Sequence, residues 1–165
     1  MNVDDVLKYG HEMVLQAVDG LAEPDWLAPG VCGVWSVKDV IAHLASTELL
    51  IADVLGTFVG SGPTPHLDAF TQKDPQHNDK EVARRREWPV TRTLAEYKDA
   101  ARRAMEAGAR IPPETAHRPG TLPWYGEEYA LDDFLVYTSY GHKSEHCAQI
   151  AVVRDRLKMR GAVSR

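Results

Sequence analysis

The chain has 165 residues, 44% hydrophobic and 26% charged, with a formal net charge of −5. That length predicts one domain with a real core spanning residues 1–165, and the acidic balance argues against nonspecific nucleic-acid binding, which needs a basic surface to displace counterions. The start Met1-Asn2-Val3-Asp4-Asp5 lacks the basic and apolar regions of a signal peptide, and no apolar run approaches the roughly 20 residues that span a bilayer, so the expectation is a cytoplasmic protein with no membrane partner.

Apolar residues recur with helical period, and sustained strand-type alternation is absent. The first predicted helix runs from Val3 to Asp19 on a stripe of Val6, Leu7, Met13, Val14, Ala17 and Val18, with Gly20 as its C-terminal cap. The segment from Glu23 to Gly30 reads as a loop, bearing Pro24, Pro29 and Gly30. Ser36 is a good N-cap for a second helix, and Asp39 is a short-armed capping-box acid that also suits the positive end of the helix dipole. Val40, Ile41, Leu44, Ile51, Val54, Leu55 and Phe58 carry that helix to Gly60.

Residues 60–78 are too long for a tight antiparallel connection, which predicts a crossover or a short helix within it. Residues 79–87 have helical character, with Pro89 either breaking that helix or standing just before the next. The basic run Arg84-Arg85-Arg86, flanked by Asp79, Glu81 and Glu87, reads as a solvated face. Thr93-Leu94-Ala95-Glu96 has the capping-box pattern and predicts the start of a third helix, stopped by Gly108 and Pro112-Pro113. A second long loop covers 112–130, and a fourth helix runs from near Asp132 to Gly161. The fold class is all-α, a four-helix bundle with a long crossover between helices 2 and 3. Cys32 and Cys147 are too few for a disulfide framework, and Cys147 reads as a small buried helix residue.

The chemistry concentrates in three histidines. His142 and His146 stand four residues apart, hence about 40° apart around a helix and about 6 Å along it. They share a line with Leu135, Ser139, Gln149 and Val153, so they face the interior, where an imidazole needs a partner. His43 lies among Val40, Ile41, Leu44 and Thr47, near a buried face of the second helix. If the two helices pack together, the three imidazoles can meet on one metal ion and leave coordination positions open. Such ligation requires neutral imidazole and predicts weaker metal binding below about pH 6.5.

His142-Lys143-Ser144-Glu145-His146 also spells the inverted zincin motif of some metallopeptidases, but no glutamate follows Glu145 to serve as third ligand. Peptidase activity is therefore rejected, and Glu145 is left as a catalytic candidate, either near the site as a proton acceptor or exposed. His11, His66, His77 and His117 show no ligand spacing, and the last three fall in polar segments where solvated side chains are expected. Trp35, Trp124 and Tyr125 are candidates for a substrate rim or for aromatic packing over the bundle ends. The N-cap role of Ser36 accounts for it without a nucleophilic one.

Gly33-Val34-Trp35-Ser36-Val37-Lys38-Asp39-Val40-Ile41-Ala42-His43-Leu44 and Tyr140-Gly141-His142-Lys143-Ser144-Glu145-His146-Cys147-Ala148-Gln149-Ile150 together resemble the signatures of the DinB-like superfamily, with a looser similarity to the colibactin self-resistance branch. The resemblance implies a divalent ion, zinc or nickel, on His43, His142 and His146. It also implies a small-molecule substrate, a low-molecular-weight thiol as cosubstrate in some relatives, and a homodimer. The function it suggests is metal-dependent thiol transfer to a small electrophile, or hydrolysis. The alternative is a non-catalytic protein that binds or sequesters a small molecule, or a structural dimeric helical module. Fold membership alone does not choose among these.

Overall fold

The computed structural model describes residues 2–163, with side chains as far as Met159. The chain runs α1 (Val3–Val18), α2 (Glu23–Trp26), α3 (Val37–Val59), α4 (Pro65–Thr71), α5 (His77–Arg84), α6 (Val90–Gly108), α7 (Pro113–Ala116), α8 (Leu131–Leu135), a π-helical segment (Val136–Gly141) and α9 (His142–Val163). The long helices α1, α3, α6 and α9 form the bundle, and no strand occurs among the described residues.

Local sequence explains most of the boundaries. Asn2 accepts a hydrogen bond from the Asp4 amide (3.0 Å) and opens α1, and Gly20 takes the left-handed conformation (φ 66°) just beyond its end. Ser36 and Asp39 form the expected capping box: the Asp39 amide donates to Ser36 Oγ (3.2 Å) and the Ser36 amide to Asp39 Oδ2 (2.9 Å). Gly60 (φ 70°) closes α3. The predicted loop at 23–30 contains the single turn α2, which buries Trp26, and the second long loop contains the turn α7.

The third helix starts earlier than Thr93. Pro89 occupies the N-cap position in extended conformation, and Thr93 lies inside α6 with its hydroxyl donating to the Pro89 carbonyl (3.4 Å). Glu96 is drawn away from a capping role because Arg85 bonds it (Nη2 to Oε1, 3.2 Å) and also bonds Glu81 (Nη1 to Oε2, 3.0 Å). Arg85 is therefore buried, against the expectation of a solvated Arg84–Arg86 face, while Arg84 and Arg86 remain exposed. Lys38 Nζ donates to the Arg86 carbonyl (2.6 Å), tying this end of the crossover to the start of α3.

The crossover is anchored at its other end by Asp53. This buried α3 carboxylate accepts from the His66 and Leu67 amides (2.6 and 3.2 Å) and so caps α4, whose own N-cap Thr64 makes no side-chain capping bond to the helix backbone. The fourth helix begins at Leu131 and continues through Gly161 to Val163, but its path through 136–141 is π-helical.

Helix α3 packs most extensively on α6, α1 packs on α9 and α6, and the backbones of α3 and α9 approach at few points while their side chains meet in the core. By length and composition α3 could cross a membrane, yet nearly all of it is buried inside the bundle. Its apolar character is that of a core helix. The core divides into two apolar clusters. One gathers Val6, Leu7, Ile51, Leu55, Phe134 and Leu135; the other gathers Val14, Val37, Ile41, Leu44, Tyr97 and Ile150. The clusters are separated on three of the helices by a stretch of small and polar residues: Gly10 and His11 on α1, Ser46–Glu48 on α3, and Ser139–Lys143 across the π-helical segment and α9. Helices α1 and α6 approach closely at Gly108, where a Cβ would lie 2.8 Å from Leu7 Cδ1.

Candidate metal centre

His43 sits in the second turn of α3, with its ring against Trp35 (centroids 5.2 Å apart). His142 and His146 occupy the first turns of α9. All three turn Nε2 toward one point: His43 Nε2 lies 2.9 Å from His142 Nε2, which lies 3.0 Å from His146 Nε2. The structure thus brings together the residues singled out by the helical spacing, two buried and one half-buried.

Burial and the neighbouring imidazoles push His43 down to about 3, with His142, His146 and then His77 as the neighbours. Burial, then His146 and Lys143, push His142 down to about 4. Both rings are therefore neutral near pH 7, with lone pairs available. The sequence-based threshold of about pH 6.5 is too high for these two, because it took the solvent-exposed value for groups that are desolvated.

The hydrogen-bonding arithmetic is incomplete without a cation. A neutral imidazole has one N–H. His146 Nδ1 donates to Gln149 Oε1 (2.9 Å), so His146 Nε2 is a bare acceptor. His142 Nε2–H can serve only one of its two neighbours, so at most one of the two close Nε2 contacts is a hydrogen bond. A divalent ion would satisfy all three Nε2 lone pairs at once. The 2.9 and 3.0 Å separations lie slightly inside the roughly 3.3 Å that nitrogens adopt on a tetrahedral zinc with bonds of about 2.0–2.1 Å. The Gln149 contact is the orienting partner typical of a ligating histidine.

The π-helical segment leads directly into His142. One wider turn shifts the register of the downstream residues and places Tyr137, Thr138 and Gly141 beside His142 on the wall of a cavity of about 440 Å³. Across that cavity the crossover contributes His66, Phe70, His77 and Asn78, and Glu145 stands at its edge with an exposed side chain. A second cavity of about 390 Å³ continues past Phe70, His77 and Asn78 toward Trp124.

His66 and His77, expected to be solvated, are half-buried and line the metal-side cavity, because the Asp53 cap and the α5 start turn the crossover back over the bundle. Nothing in their local spacing signals this. His117 pairs with Asp132 (2.7 Å), and His11 stacks on Tyr97 (5.4 Å) away from the cavity. Trp124 lines the second cavity, whereas Tyr125 packs on Trp124 and Phe134, and Trp35 supports His43 rather than the cavity wall. Cys147 is buried in the core as expected, and burial raises its thiol to about 11.

Residues 7–131 match the family model described as the mycothiol maleylpyruvate isomerase N-terminal domain, a DinB-like family in agreement with the resemblance read from the motifs. The match covers well over half of the chain and includes His43, while His142 and His146 lie beyond it. No curated protein and no solved structure matches.

Proposed function

The chain belongs to the mycothiol maleylpyruvate isomerase N-terminal domain family, and from that premise we propose that it is a metal-dependent enzyme joining a low-molecular-weight thiol to a small electrophile. The observation that carries the proposal is the convergence of three neutral imidazoles at the wall of a cavity large enough for a small molecule. His43, His142 and His146 would hold a zinc or nickel ion, which supplies Lewis acidity and lowers the pKa of a coordinated thiol or water.

The remaining residues have distinct work. Leu50, Phe70 and Tyr137 supply apolar wall against which a substrate can pack. His66, His77 and Asn78 offer hydrogen bonds to the substrate from the side facing the triad. Glu145 is on the same helix as two of the ligands, exposed at the cavity edge, where it can accept the proton that a thiol or water gives up. Gln149 holds the His146 tautomer. Water in place of the thiol would give hydrolysis with the same groups.

The test begins with metal content by elemental analysis of untagged protein beside the His43→Ala variant. About one zinc or nickel per chain, lost in the variant, is expected. The loaded protein is then incubated with mycothiol or glutathione and monochlorobimane, a fluorogenic electrophile. Thiol-dependent conjugation above the metal-stripped control supports the reading. Stoichiometric metal with no acceleration for either thiol, and none in the thiol-free hydrolysis control, would move the chain to the alternative, a protein that binds without turnover.

A further inference from the structure

Between the two apolar clusters of the core lies an ion pair that the metal site does not itself use. Lys143 Nζ pairs with the Glu48 carboxylate, and the two residues are 0% and 1% exposed. Lys143 Nζ also donates to Ser139 Oγ (3.1 Å), in the π-helical segment. Its side chain lies over Gly10 of α1, where a Cβ would stand 3.3 Å from Lys143 Cδ and 3.6 Å from Nζ. The Tyr97 hydroxyl from α6 is buried in the same layer without a hydrogen-bond partner, and burial followed by the Glu48 charge raises its pKa. All four bundle helices thus contribute to one polar layer.

Such a pair is costly. Desolvating both charges takes several kcal/mol each, and well-packed apolar residues of the same volume often hold a fold equally well. The best-attested return for a buried polar pair is register. Register is what this site needs. Lys143 lies between the two α9 ligands in sequence, about 100° around the helix from His142 and about 60° from His146. Glu48 lies on the helix that carries His43. Apolar side chains of α3 and α9 do meet in the core, Ile41 and Leu44 with Ile150, but such contact is non-directional, whereas an ion pair joins one atom to one atom and so selects one height and rotation. The imidazole cluster sets them only weakly without a cation, since at most one of its two Nε2 contacts can be a hydrogen bond.

We propose that the buried Glu48–Lys143 pair, seated by Ser139 and Gly10, is a positioning device that locks α9 against α3 so that His43 meets His142 and His146 in register for a metal ion. The proposal rests on the metal-site reading above. It assigns the pair no contact with ion or substrate; it acts through the ligands' placement.

The test uses the full chain, stripped with chelator, and two variants. Glu48→Leu with Lys143→Met replaces the pair by apolar groups of similar volume, and this double variant is expected to stay folded, with a thermal midpoint in the metal-free state near that of the unmodified chain. Zinc affinity is measured by competition with a chromophoric chelator, and site geometry by the visible absorption of the cobalt(II)-loaded protein. The expected result is zinc binding weakened about tenfold or more, the usual cost of losing a group that orients ligands, together with a changed cobalt spectrum. A folded double variant that binds zinc as tightly as the unmodified chain, with the same cobalt spectrum, overturns the positioning role and leaves the metal site standing. No zinc binding by the unmodified chain overturns both readings. Should the double variant fail to fold, Ser139→Ala decides, since it removes one hydroxyl only: roughly threefold or greater weakening, about the worth of one hydrogen bond, supports the proposal, and unchanged affinity overturns it.

Discussion

Replacing His43 by Ala separates a metal ligand from a core histidine. The imidazole is buried against Trp35, so its loss leaves a cavity, but it also removes a buried Nδ1 with no partner. The two effects oppose each other, and the metal-free variant should keep its stability to within about 1 kcal/mol. The metal-dependent part behaves otherwise. With free zinc at a hundred times its dissociation constant, the unmodified chain gains about 2.7 kcal/mol. At about 2–4 °C per kcal/mol for a chain of this size, its thermal midpoint should rise by about 5–11 °C. Structural zinc sites with a full ligand set are worth about 10–16 kcal/mol, roughly 3 kcal/mol per ligand. Losing His43 therefore weakens binding about a hundredfold, and at the same free zinc the variant gains only about 0.4 kcal/mol, a rise of about 1 °C. The assay is thermal unfolding of chelator-stripped protein across a zinc titration, with metal content measured in parallel. An equal rise in the variant and the unmodified chain would refute His43 ligation, and no rise in either would refute the centre altogether.

Three further outcomes rest on the same geometry. Gln149→Leu removes the acceptor at His146 Nδ1; zinc affinity measured by chelator competition should fall about 10–100-fold while the metal-free thermal midpoint stays unchanged. Unfolded histidine titrates near 6.5, whereas His43 and His142 are held at about 3 and about 4 in the folded chain. Between those values the unfolded chain binds more protons, so this contribution is fully present above about pH 6.5 and is lost as pH falls toward 3, at up to about 1.4 kcal/mol per unit and per histidine. The metal-free midpoint, tracked from pH 7 to 4.5, should accordingly fall more steeply for the unmodified chain than for His43→Ala; identical slopes would contradict burial of a neutral His43. Gly108→Ala puts a methyl 2.8 Å from Leu7 Cδ1, and overpacking the α1–α6 contact should cost about 1–3 kcal/mol in denaturant unfolding.

Much of the bundle was legible because it rests on local rules. The helix starts at Val3 and at Ser36 and the stops near Gly20, Gly60 and Gly108 depend on neighbours within a turn, which a sequence displays directly. The failures have long-range causes. Thr93–Glu96 has the local form of a capping box, but Arg85, eleven residues before Glu96, claims the carboxylate, and Pro89 has already started the helix. The same pairing buries Arg85 although its own segment reads as a charged surface. A wheel drawn at 100° per residue passes through 136–141 without showing that those residues take a wider π-helical path.

The candidate ligands divide the same way. Sequence by itself determined that His142 and His146 share a helix face and that His43 belongs to a buried stretch of another helix, since both statements depend only on the helical repeat. Tertiary structure decided that the three Nε2 atoms meet, that Gln149 orients one of them, and that His66 and His77 return from the crossover to face them. It also decided that Lys143, a charged residue in a polar run, is buried against Glu48 nearly a hundred positions earlier. A helical repeat fixes angles within one helix; the distance between two helices is set by everything packed between them, and no short stretch of sequence contains it.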